Sequence, residues 1–530
     1  MSVRRPLAAL ALAALLLAGC GPKHTAERTN VLHLPMTASP TTFDPAMVQD
    51  GTTIDLLQQV FEGLVQWTPQ NTLAPALATK WEISKDGRTY TFHLRDGVKF
   101  QDGSDFTAND VYASMRRALD PALASPVAVI YLGNIVGARE VNAGTSKVLT
   151  GVKVVDPHTV AITIVKPGLY WIYTLTYPTA YVVSPKLSTK TSELAASDDL
   201  SGAGTGPFRL TRYDRDHDVV LAANAAYWDG KPTLDGQERP VVTDQSTRHS
   251  MFLAGTLDLT DESPGDLDAD LADAVLKDQV HFWPRAATYY IGLNQRIVPA
   301  FKDIRVRQAL AYATDKKQIQ QVALEGRLDI AQDILPEGIP GFDPAFQGLP
   351  YDPAKAKQLL AAASYPGGRG FPKVVISYRE SYPVLEKTVD LIRQQWADNL
   401  GITVQGQRTE WKVLLDRESK NQLPCYHIRW AADYLDPQDY YSVLLRTGSE
   451  ENHVVYSNPK YDALCDAADV SLDPAKRNAL YRQAARIVAD EVPMIPLYYQ
   501  KDAELINPAV KGIEDGLMGH LPYKHASIAP

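Results

Sequence analysis

The sequence is poor in cysteine. Only three cysteines occur among 530 residues, which excludes a small fold held together by a dense disulfide framework. One of them is Cys20, and the other two are Cys425 and Cys465. These last two either pair in an oxidising compartment or remain as two buried free thiols, and the sequence leaves both alternatives open. No group of residues has the spacing of a metal site, so we predict no metal and no cofactor.

Long apolar runs are absent after the N-terminus. Pro6 to Ala18 is apolar and uncharged, but it is shorter than the roughly 20 residues that a membrane-spanning helix needs. Because Arg4 and Arg5 precede this run, residues 1–19 have the organisation of a secretory signal peptide. No later segment is long and apolar enough to predict a membrane span.

The end of this segment, Leu17-Ala18-Gly19-Cys20, resembles the lipobox of bacterial lipoproteins. The resemblance implies that Cys20 becomes the first residue of the mature chain and carries acyl chains, because a thioether to diacylglycerol requires a thiol. Residues 20–27 then form a lipidated tether to a membrane, since several acyl chains anchor a protein stably. The alternative is an ordinary signal peptide that is followed by a cysteine by chance.

The sequence also has fewer basic than acidic residues. Asp and Glu number 62 against 53 Lys and Arg, and the net charge is -9. The predicted loss of Arg4 and Arg5 with the signal peptide makes the mature chain more acidic still. Nucleic-acid binding relies on basic patches, so this composition argues against a nucleic-acid partner.

Signatures of catalysis are missing as well. The sequence has no His-Glu-x-x-His motif, no Gly-x-Ser-x-Gly motif and no phosphate-binding loop that ends in Gly-Lys-Ser/Thr. Residues Gly202 to Gly206 are rich in glycine but lack dinucleotide-binding spacing, and they predict a tight turn before a strand at Phe208. We therefore predict no catalytic residue and no enzymatic activity.

Local patterns predict strands and capped helices. Thr89 to Leu94 alternates as a half-buried strand does. Thr107, with Asp110 three residues later, predicts the start of a helix. Asp352-Pro353 and Asp473-Pro474 predict two more helix starts, because aspartate caps a helix and proline fits its first turn.

A β-α-β unit is predicted in the second half of the chain. Val374 to Tyr378 is a buried type of strand, and a helix follows with apolar residues on one face between Leu385 and Trp396. Gly401 is predicted to end this helix, and Ile402 to Val404 to form the next strand. This order predicts a parallel strand pair, hence an α/β lobe, and the length of the chain predicts two or three domains.

The local signals together resemble the family 5 extracellular solute-binding proteins, which include the oligopeptide- and dipeptide-binding components of ABC importers. The resemblance rests on many short segments in the same order. They are Phe61-Glu62-Gly63-Leu64, the run from Leu73 to Val111, Gly204-Thr205-Gly206-Pro207-Phe208, Tyr227-Trp228, Arg305-Val306-Arg307-Gln308-Ala309-Leu310 and Trp430-Ala431-Ala432-Asp433-Tyr434.

This resemblance implies an α/β, two-lobed periplasmic-binding-protein fold (type II-like) with an extra subdomain inserted in lobe I. Lobe I comprises residues 28–66, 180–290 and 500–530, the inserted subdomain comprises 67–179, and lobe II comprises 291–499. The chain is expected to cross between the lobes near Tyr290 to Asn294 and near Leu497 to Tyr499, and the lobes to close on a ligand.

The resemblance also implies ligand-binding residues. In peptide-binding relatives the aspartate three residues after the cleft tryptophan pairs with the α-amino group of the ligand, and Trp430 and Asp433 match that spacing. Asp433 can instead cap or bridge structurally. Trp411 is the expected wall of a side-chain pocket, or else core packing. The further candidates are Tyr434, Arg429, Arg379, Asn294 and Tyr498.

Two positions depart from the family pattern. Arg429 stands where relatives commonly have glycine, and it can fill space or meet a carboxylate. The Arg-His pair of oligopeptide binders is missing after Asp416, which puts in doubt how a long peptide's carboxylate is met. Arg379 resembles the carboxylate-binding arginine of dipeptide binders, although a surface arginine is the alternative.

We therefore predict a monomeric binding protein in the periplasm or cell envelope. Its expected partners are a peptide ligand, the membrane that carries the lipid anchor and an ABC permease in the inner membrane. Within the same family a nickel complex, haem or a sugar is the alternative ligand. A surface receptor without a transport role is the more distant alternative.

Overall fold

The computed structural model of the protein describes residues 30–184, 186, 202–380 and 382–529. The predicted signal peptide, the predicted lipid attachment at Cys20 and the tether lie outside the described residues. Within the part that is described, every helix is too short or too polar to cross a membrane.

Strands and helices are interspersed along the chain, often in runs of three or more of one kind. The strands are β1 (Val31–His33), β2 (Val65–Trp67), β3 (Leu73–Pro75), β4 (Ala78–Ile83), β5 (Thr89–Leu94), β6 (Val152–Asp156), β7 (Thr159–Thr163), β8 (Phe208–Asp214), β9 (Asp218–Ala223), β10 (Gly236–Pro240), β11 (Leu259–Asp261), β12 (Val280–Leu293), β13 (Val374–Arg379), β14 (Val404–Thr409), β15 (Cys425–Ala431), β16 (Met494–Ile506), β17 (Val510–Lys511), β18 (Asp515–Gly516), β19 (Gly519–His520) and β20 (Ser527–Ile528). The α-helices are Gly51–Val60, Ala108–Ala118, Ala128–Leu132, Ala138–Asn142, Trp171–Thr174, Gln245–Leu253, Pro264–Ala272, Ile304–Tyr312, Lys316–Val322, Pro353–Ala362, Pro383–Leu400, Trp411–Ser419, Pro437–Leu445, Pro459–Asp469 and Pro474–Glu491.

The largest sheet is built around the two longest strands. Its order is β11-β16-β12-β15-β13-β14, and β12 and β16 pair antiparallel over nearly their whole length. The register shifts between Pro284 and Thr288, where residues 285–287 stand opposite the single residue Gln500. Extra residues of this kind bend a strand and increase its twist, so β12 changes direction in the middle of the sheet.

Two four-stranded sheets form the rest of the framework. One has the order β1-β10-β9-β8, and the other, with the order β4-β5-β7-β6, is antiparallel throughout. Tyr90, Phe92 and Leu94 alternate inward along β5 as predicted. Their sheet packs against the helix Ala108–Ala118 and forms a hydrophobic core of its own.

Several segments that carry the family resemblance meet in space at Glu62. Its buried carboxylate accepts hydrogen bonds from Thr205 Oγ1 at 2.8 Å, Tyr227 Oη at 2.7 Å and Trp228 Nε1 at 2.9 Å. Gly206 packs directly on the chain end of the first helix, since a Cβ there would lie 2.7 Å from the backbone oxygen of Gln59. The glycine-rich segment is therefore a site of close backbone packing.

The predicted β-α-β unit is confirmed with one correction. β13 and β14 are parallel, and the helix Pro383–Leu400 ends at Gly401, which has a left-handed φ of 69°. The second strand begins at Val404, however, and not at Ile402. Its register pairs Val404 with Val374 and continues to Thr409 through exposed polar residues at the sheet edge, which hydrophobic patterning does not detect.

The predicted helix caps are also confirmed. Thr107 and Asp110 form a reciprocal capping box, in which the Thr107 backbone N–H donates to Asp110 Oδ2 at 2.7 Å. Asp352 and Asp473 each accept hydrogen bonds from the first turn of the helices that begin at Pro353 and Pro474. These local signals are strong because they satisfy backbone N–H groups that have no partner inside the helix.

The two internal cysteines are free. Cys425 on β15 and Cys465 on the helix Pro459–Asp469 are both fully buried and do not form a disulfide. Burial raises the pKa of the Cys465 thiol to about 12 and also raises the pKa of Cys425. Both thiols are therefore protonated and shielded at neutral pH, and the free-thiol alternative is the one observed.

A buried ion pair ties the N-terminal segment to the helix Ala108–Ala118. Arg117 donates to both carboxylate oxygens of Asp44, at 3.0 and 2.5 Å, and both side chains are about 2% exposed or less. Removing one partner of such a pair leaves a buried charge without compensation.

We expect Asp44→Ala to lower the free energy of unfolding by about 3–5 kcal/mol, because Arg117 would remain buried without its carboxylate. Urea denaturation followed by circular dichroism measures this loss. Asp105→Ala is the matched control, since Asp105 pairs with Lys99 at an exposed site, where an ion pair contributes less than about 1 kcal/mol. Equal effects of the two substitutions would contradict the prediction.

Candidate functional site

A cavity of about 820 Å³ lies where the long strands change direction. Residues 285–287 of β12, Arg429 and residues 431–433 at the end of β15, and Gln500, Asp502 and Glu504 of β16 line it. Residues of the first helix, the segment around Tyr177 and residues 517–524 complete the lining. The cavity volume falls in the range of small-ligand sites, which is about 300–1,000 Å³.

Asp433 faces this cavity from the loop that follows β15. The hydroxyl of Tyr131 lies near its carboxylate. Among the described residues no Lys, Arg or His forms an ion pair with it. Burial raises the pKa of Asp433 to about 6, and the nearby Tyr131 hydroxyl opposes that rise. The carboxylate therefore carries a charge at neutral pH that no neighbouring cation neutralises.

A second carboxylate holds Asp433 in place. Asp439 Oδ2 accepts hydrogen bonds from the Asp433 backbone N–H at 3.2 Å and from Trp430 Nε1 at 2.9 Å, and the residue is fully buried. Burial, together with the charge of Asp433, raises the pKa of Asp439 well above its usual value. Asp439 therefore holds the Asp433 loop through its hydrogen bonds, while burial and the charge of Asp433 favour its protonated form.

The loop between Asp433 and the next helix is fixed by a buried ion pair. Asp436 caps the helix Pro437–Leu445, and its two oxygens accept from Arg477 at 2.8 and 2.5 Å. Because both side chains are buried, the loop has little freedom to move. The position of Asp433 is therefore set before any ligand arrives.

Tyr131 approaches Asp433 from a distant part of the chain. Tyr131 lies on the short helix Ala128–Leu132, which packs with the β4–β7 sheet. Its ring stacks on Tyr177 at a centroid distance of 3.8 Å, and the Tyr177 hydroxyl donates to the backbone oxygen of Val48 at 3.1 Å. This chain of contacts links the surroundings of Asp433 to Tyr177, which lines the cavity, and to the N-terminal segment at Val48.

Arg429 also lines the cavity, two residues before the end of β15. Its side chain is exposed and donates to the side-chain oxygen of Gln500. Residues at every second position of a strand share a face, which explains why Arg429 and Ala431 border the same space, and the loop that follows adds Ala432 and Asp433. Arg429 and Asp433 are thus the predicted site residues that the structure brings together there.

Trp430 and Tyr434 flank Asp433 without lining the cavity. Trp430 points to the other face of the strand, where its indole holds Asp439. Tyr434 is buried, donates to Gln438 and stacks on Tyr170 at 6.1 Å. Both residues support the Asp433 loop from behind.

Trp411 and Arg379 form a separate group outside the cavity lining. The Arg379 guanidinium lies 4.8 Å from the Trp411 ring centroid and 4.3 Å from that of Tyr382. Trp411 is partly buried at the start of the helix Trp411–Ser419. The structure therefore places neither residue in the lining of the cavity that Asp433 faces.

Asn294 and Tyr498 lie inside the protein beside the long strands. The Asn294 amide donates to the backbone oxygen of His453 at 3.1 Å, and its oxygen accepts from the backbone of Arg296 at 3.0 Å. Tyr498 is 1% exposed and stacks on Tyr289 at 4.8 Å. Neither residue borders the cavity, and their contacts are those of residues that maintain packing.

A charged network that sequence reasoning missed forms the floor of the cavity. Arg285 lies between Asp502 at 2.6 Å and Asp515 at 2.7 Å. His520 lies between Glu504 at 2.8 Å and Asp515 at 2.9 Å. Burial alone would lower the pKa of His520, but the two carboxylates raise it to about 10. These residues come from β12, β16 and the β18–β19 hairpin, so no local signal relates them.

Comparison with known proteins places the chain among binding proteins. Residues 72–452 match the model described as Bacterial extracellular solute-binding proteins, family 5 Middle. The chain is 31% identical to Heme-binding protein A of Haemophilus influenzae, over 98% of each chain. It is also 31% identical to the probable deoxycholate-binding periplasmic protein YgiS of Escherichia coli, over 90% of this chain and 89% of that protein.

Among solved structures, the murein tripeptide binding protein MppA of Escherichia coli superposes with a TM-score of 0.78 at 27% identity. The match covers 95% of this chain and 99% of MppA, and it confirms the predicted two-lobed, mixed α/β fold of the periplasmic binding proteins. Since the family model spans most of the sequence in one continuous match, the chain belongs to family 5 of the bacterial extracellular solute-binding proteins.

Proposed function

We propose that this protein is the extracytoplasmic substrate-binding component of an ABC importer, and that it captures short peptides and delivers them to an inner-membrane permease. The observation that carries the proposal is the Asp433 carboxylate, which faces a ligand-sized cavity and, among the described residues, has no cation partner. A relative of similar fold, MppA, is described as a murein tripeptide binding protein.

An ammonium group is the ligand feature that best satisfies this carboxylate. Bringing an ionised carboxylate into a closed cavity is costly unless a charge partner comes with it. The α-ammonium of a peptide supplies one positive charge and three N–H donors, which suits an acceptor-only group. An uncharged ligand would leave Asp433 unsatisfied when the cavity closes.

Arg429 is our proposed partner for the ligand carboxylate. It lies four residues before Asp433 on the same side of the cavity, so their Cα atoms are at most about 14 Å apart. An extended tripeptide spans about 10 Å, and the long side chain of Arg429 can close the remaining gap. This separation supports peptides of about three or four residues as the preferred ligands.

The bulge at residues 285–287 is our proposed hinge. It lies between the part of β12 that pairs with residues 501–505 and the part that pairs with β15, and it borders the cavity. Rotation there would separate Asp433 from Tyr131 and open the site. The lobe boundaries given above remain predictions, and so do the monomeric state and the anchor at Cys20.

We expect Asp433→Ala to weaken the binding of trialanine by roughly 30-fold or more, because truncating one partner of a buried charge pair costs about 2–5 kcal/mol. Asp433→Asn should weaken binding comparably, since it keeps the shape and loses the charge. Isothermal calorimetry at pH 7.5 measures both affinities.

N-acetyl-trialanine provides the control for this substitution. Acetylation should weaken binding to the unmodified protein strongly and to Asp433→Ala only slightly, since the same interaction is already absent there. Affinity for free trialanine should also fall as the pH drops below about 6, where Asp433 becomes protonated. Equal binding of acetylated and free peptide, or binding of haem or deoxycholate but of no peptide, would overturn the proposal.

A second double-mutant cycle tests the proposed contact between Arg429 and the carboxylate of the ligand. Arg429→Gln should weaken the binding of trialanine by about tenfold or more, and trialanine amide should bind the unmodified protein and this variant equally weakly. Arg379→Gln is the matched control, because Arg379 lies against Trp411 and Tyr382 outside the cavity. If Arg379→Gln abolished the preference for the free carboxylate and Arg429→Gln did not, the assignment of Arg429 would be wrong.

The anchor is tested at Cys20. We expect mass spectrometry of the membrane fraction to find Cys20 as an acylated N-terminal residue, because the thiol is the group that forms the thioether. Cys20→Ser should yield a species without acyl chains. An unmodified Cys20 in the mature native protein would contradict the lipoprotein prediction.

A further inference from the structure

Three side chains of metal-ligand type converge away from the cavity. They are His249 on the helix Gln245–Leu253, Glu262 just after β11, and Asp270 on the helix Pro264–Ala272. One ligand atom of each lies within 4.8 Å of the other two, and Asp270 Oδ2 lies 2.7 Å from His249 Nε2. Within the described residues no other set of three His, Cys, Asp or Glu side chains comes this close.

Glu262 is the member of this group whose oxygens have no hydrogen-bond donor. Both of its carboxylate oxygens are shielded from solvent, and neither accepts a hydrogen bond from the described residues. The nearby cation Arg248 is already engaged by both oxygens of Asp261 at 2.7 Å. Glu262 therefore offers two shielded oxygens without a donor at the point where His249 and Asp270 converge.

We propose that His249, Glu262 and Asp270 bind a divalent transition-metal ion of the zinc class. One imidazole nitrogen with two carboxylate oxygens suits zinc, whereas magnesium and calcium prefer oxygen ligands alone. Zinc ligands at about 2.0–2.2 Å in tetrahedral geometry are about 3.4 Å from one another. The three side chains reach that spacing with shifts of about 1 Å, and water completes the coordination.

The surroundings of the histidine support this assignment. Asp266 Oδ1 lies 4.0 Å from Nδ1, on the side of the ring opposite Asp270. A carboxylate on the far nitrogen is the usual orienting partner of a metal-bound histidine, because it favours the tautomer that leaves Nε2 free to bind the ion. Asp266 is in turn fixed by the hydroxyl of Ser263 at 2.6 Å.

His520 provides a comparison with His249, because its carboxylate partners are arranged differently around the ring. Its two carboxylate partners, Glu504 and Asp515, contact opposite ring nitrogens. Such an arrangement holds a doubly protonated imidazolium, and no third carboxylate approaches within metal-binding distance. At His249 the third ligand, Glu262, is present and has no donor of its own.

A bound ion would join two helices to the edge of the large sheet. β11 pairs with β16 through Leu259 and Ile506, so the ion would brace the far end of that long strand. None of the three ligands lines the ligand cavity. The metal site is therefore independent of the proposed peptide function, and its test can fail without affecting that function.

The test is calorimetric titration of zinc chloride into tag-free protein that has been dialysed against a chelator. We expect one zinc ion per chain, and at least tenfold weaker affinity in His249→Ala and in Glu262→Gln, since even an orienting residue is worth 10–100-fold in metal affinity. His158→Ala is the matched control, because that exposed histidine contacts the single carboxylate of Asp96 at 3.1 Å and should leave zinc binding unchanged.

Three results would overturn the proposal. The first is the absence of a one-to-one zinc binding event. The second is a binding event whose affinity is unchanged in both ligand variants. The third is displacement of the bound zinc by a tenfold excess of magnesium. Glu262→Gln preserves side-chain shape and keeps the test meaningful if His249→Ala is unstable. Trialanine affinity, measured on the same variants, should not change.

Discussion

The pairing of β12 with β16 is the constraint on which the rest of the structure depends. These two strands form one antiparallel ladder, with β11 paired to β16 at one end and β15 paired to β12 at the other. Both halves of the molecule are therefore connected through this ladder. The ladder is broken at residues 285–287, and the cavity opens at that break. A rigid ladder would hold the walls at a fixed distance, whereas a bulged one bends at a defined point.

Charge burial is the second organising feature. Asp44, Asp436 and Glu62 are each buried with a full set of donors, and each fixes one segment near the cavity. Asp433 differs because it lines the cavity without such a set of donors and without a cation partner among the described residues. Its neighbour Asp439, whose pKa is raised by burial and by the charge of Asp433, keeps the loop in place through the Asp433 backbone N–H. The first three carboxylates are thus satisfied within the protein, whereas Asp433 is open to a ligand.

Sequence reasoning succeeded where a signal is local. The capping box at Thr107 and the β-α-β unit that ends its helix at Gly401 both depend on residues close together in the chain. Sequence reasoning did not find Asp439, His520 or Glu262, because no local pattern shows which polar side chains the fold buries against one another. Asn294 and Tyr498 were predicted as site residues but lie in the core. Their position near the predicted crossings between the lobes does not show whether a side chain turns toward the cavity or the core.

The burial of both internal thiols has a consequence for folding and for experiment. Cys425 and Cys465 remain reduced, so the described part of the chain needs no oxidase or isomerase to reach its native state outside the cytoplasm. Their raised pKa and complete burial also make them poor nucleophiles. A single cysteine introduced on each side of the cavity would therefore take up fluorescent dyes selectively, and energy transfer between the dyes would report opening and closing in real time.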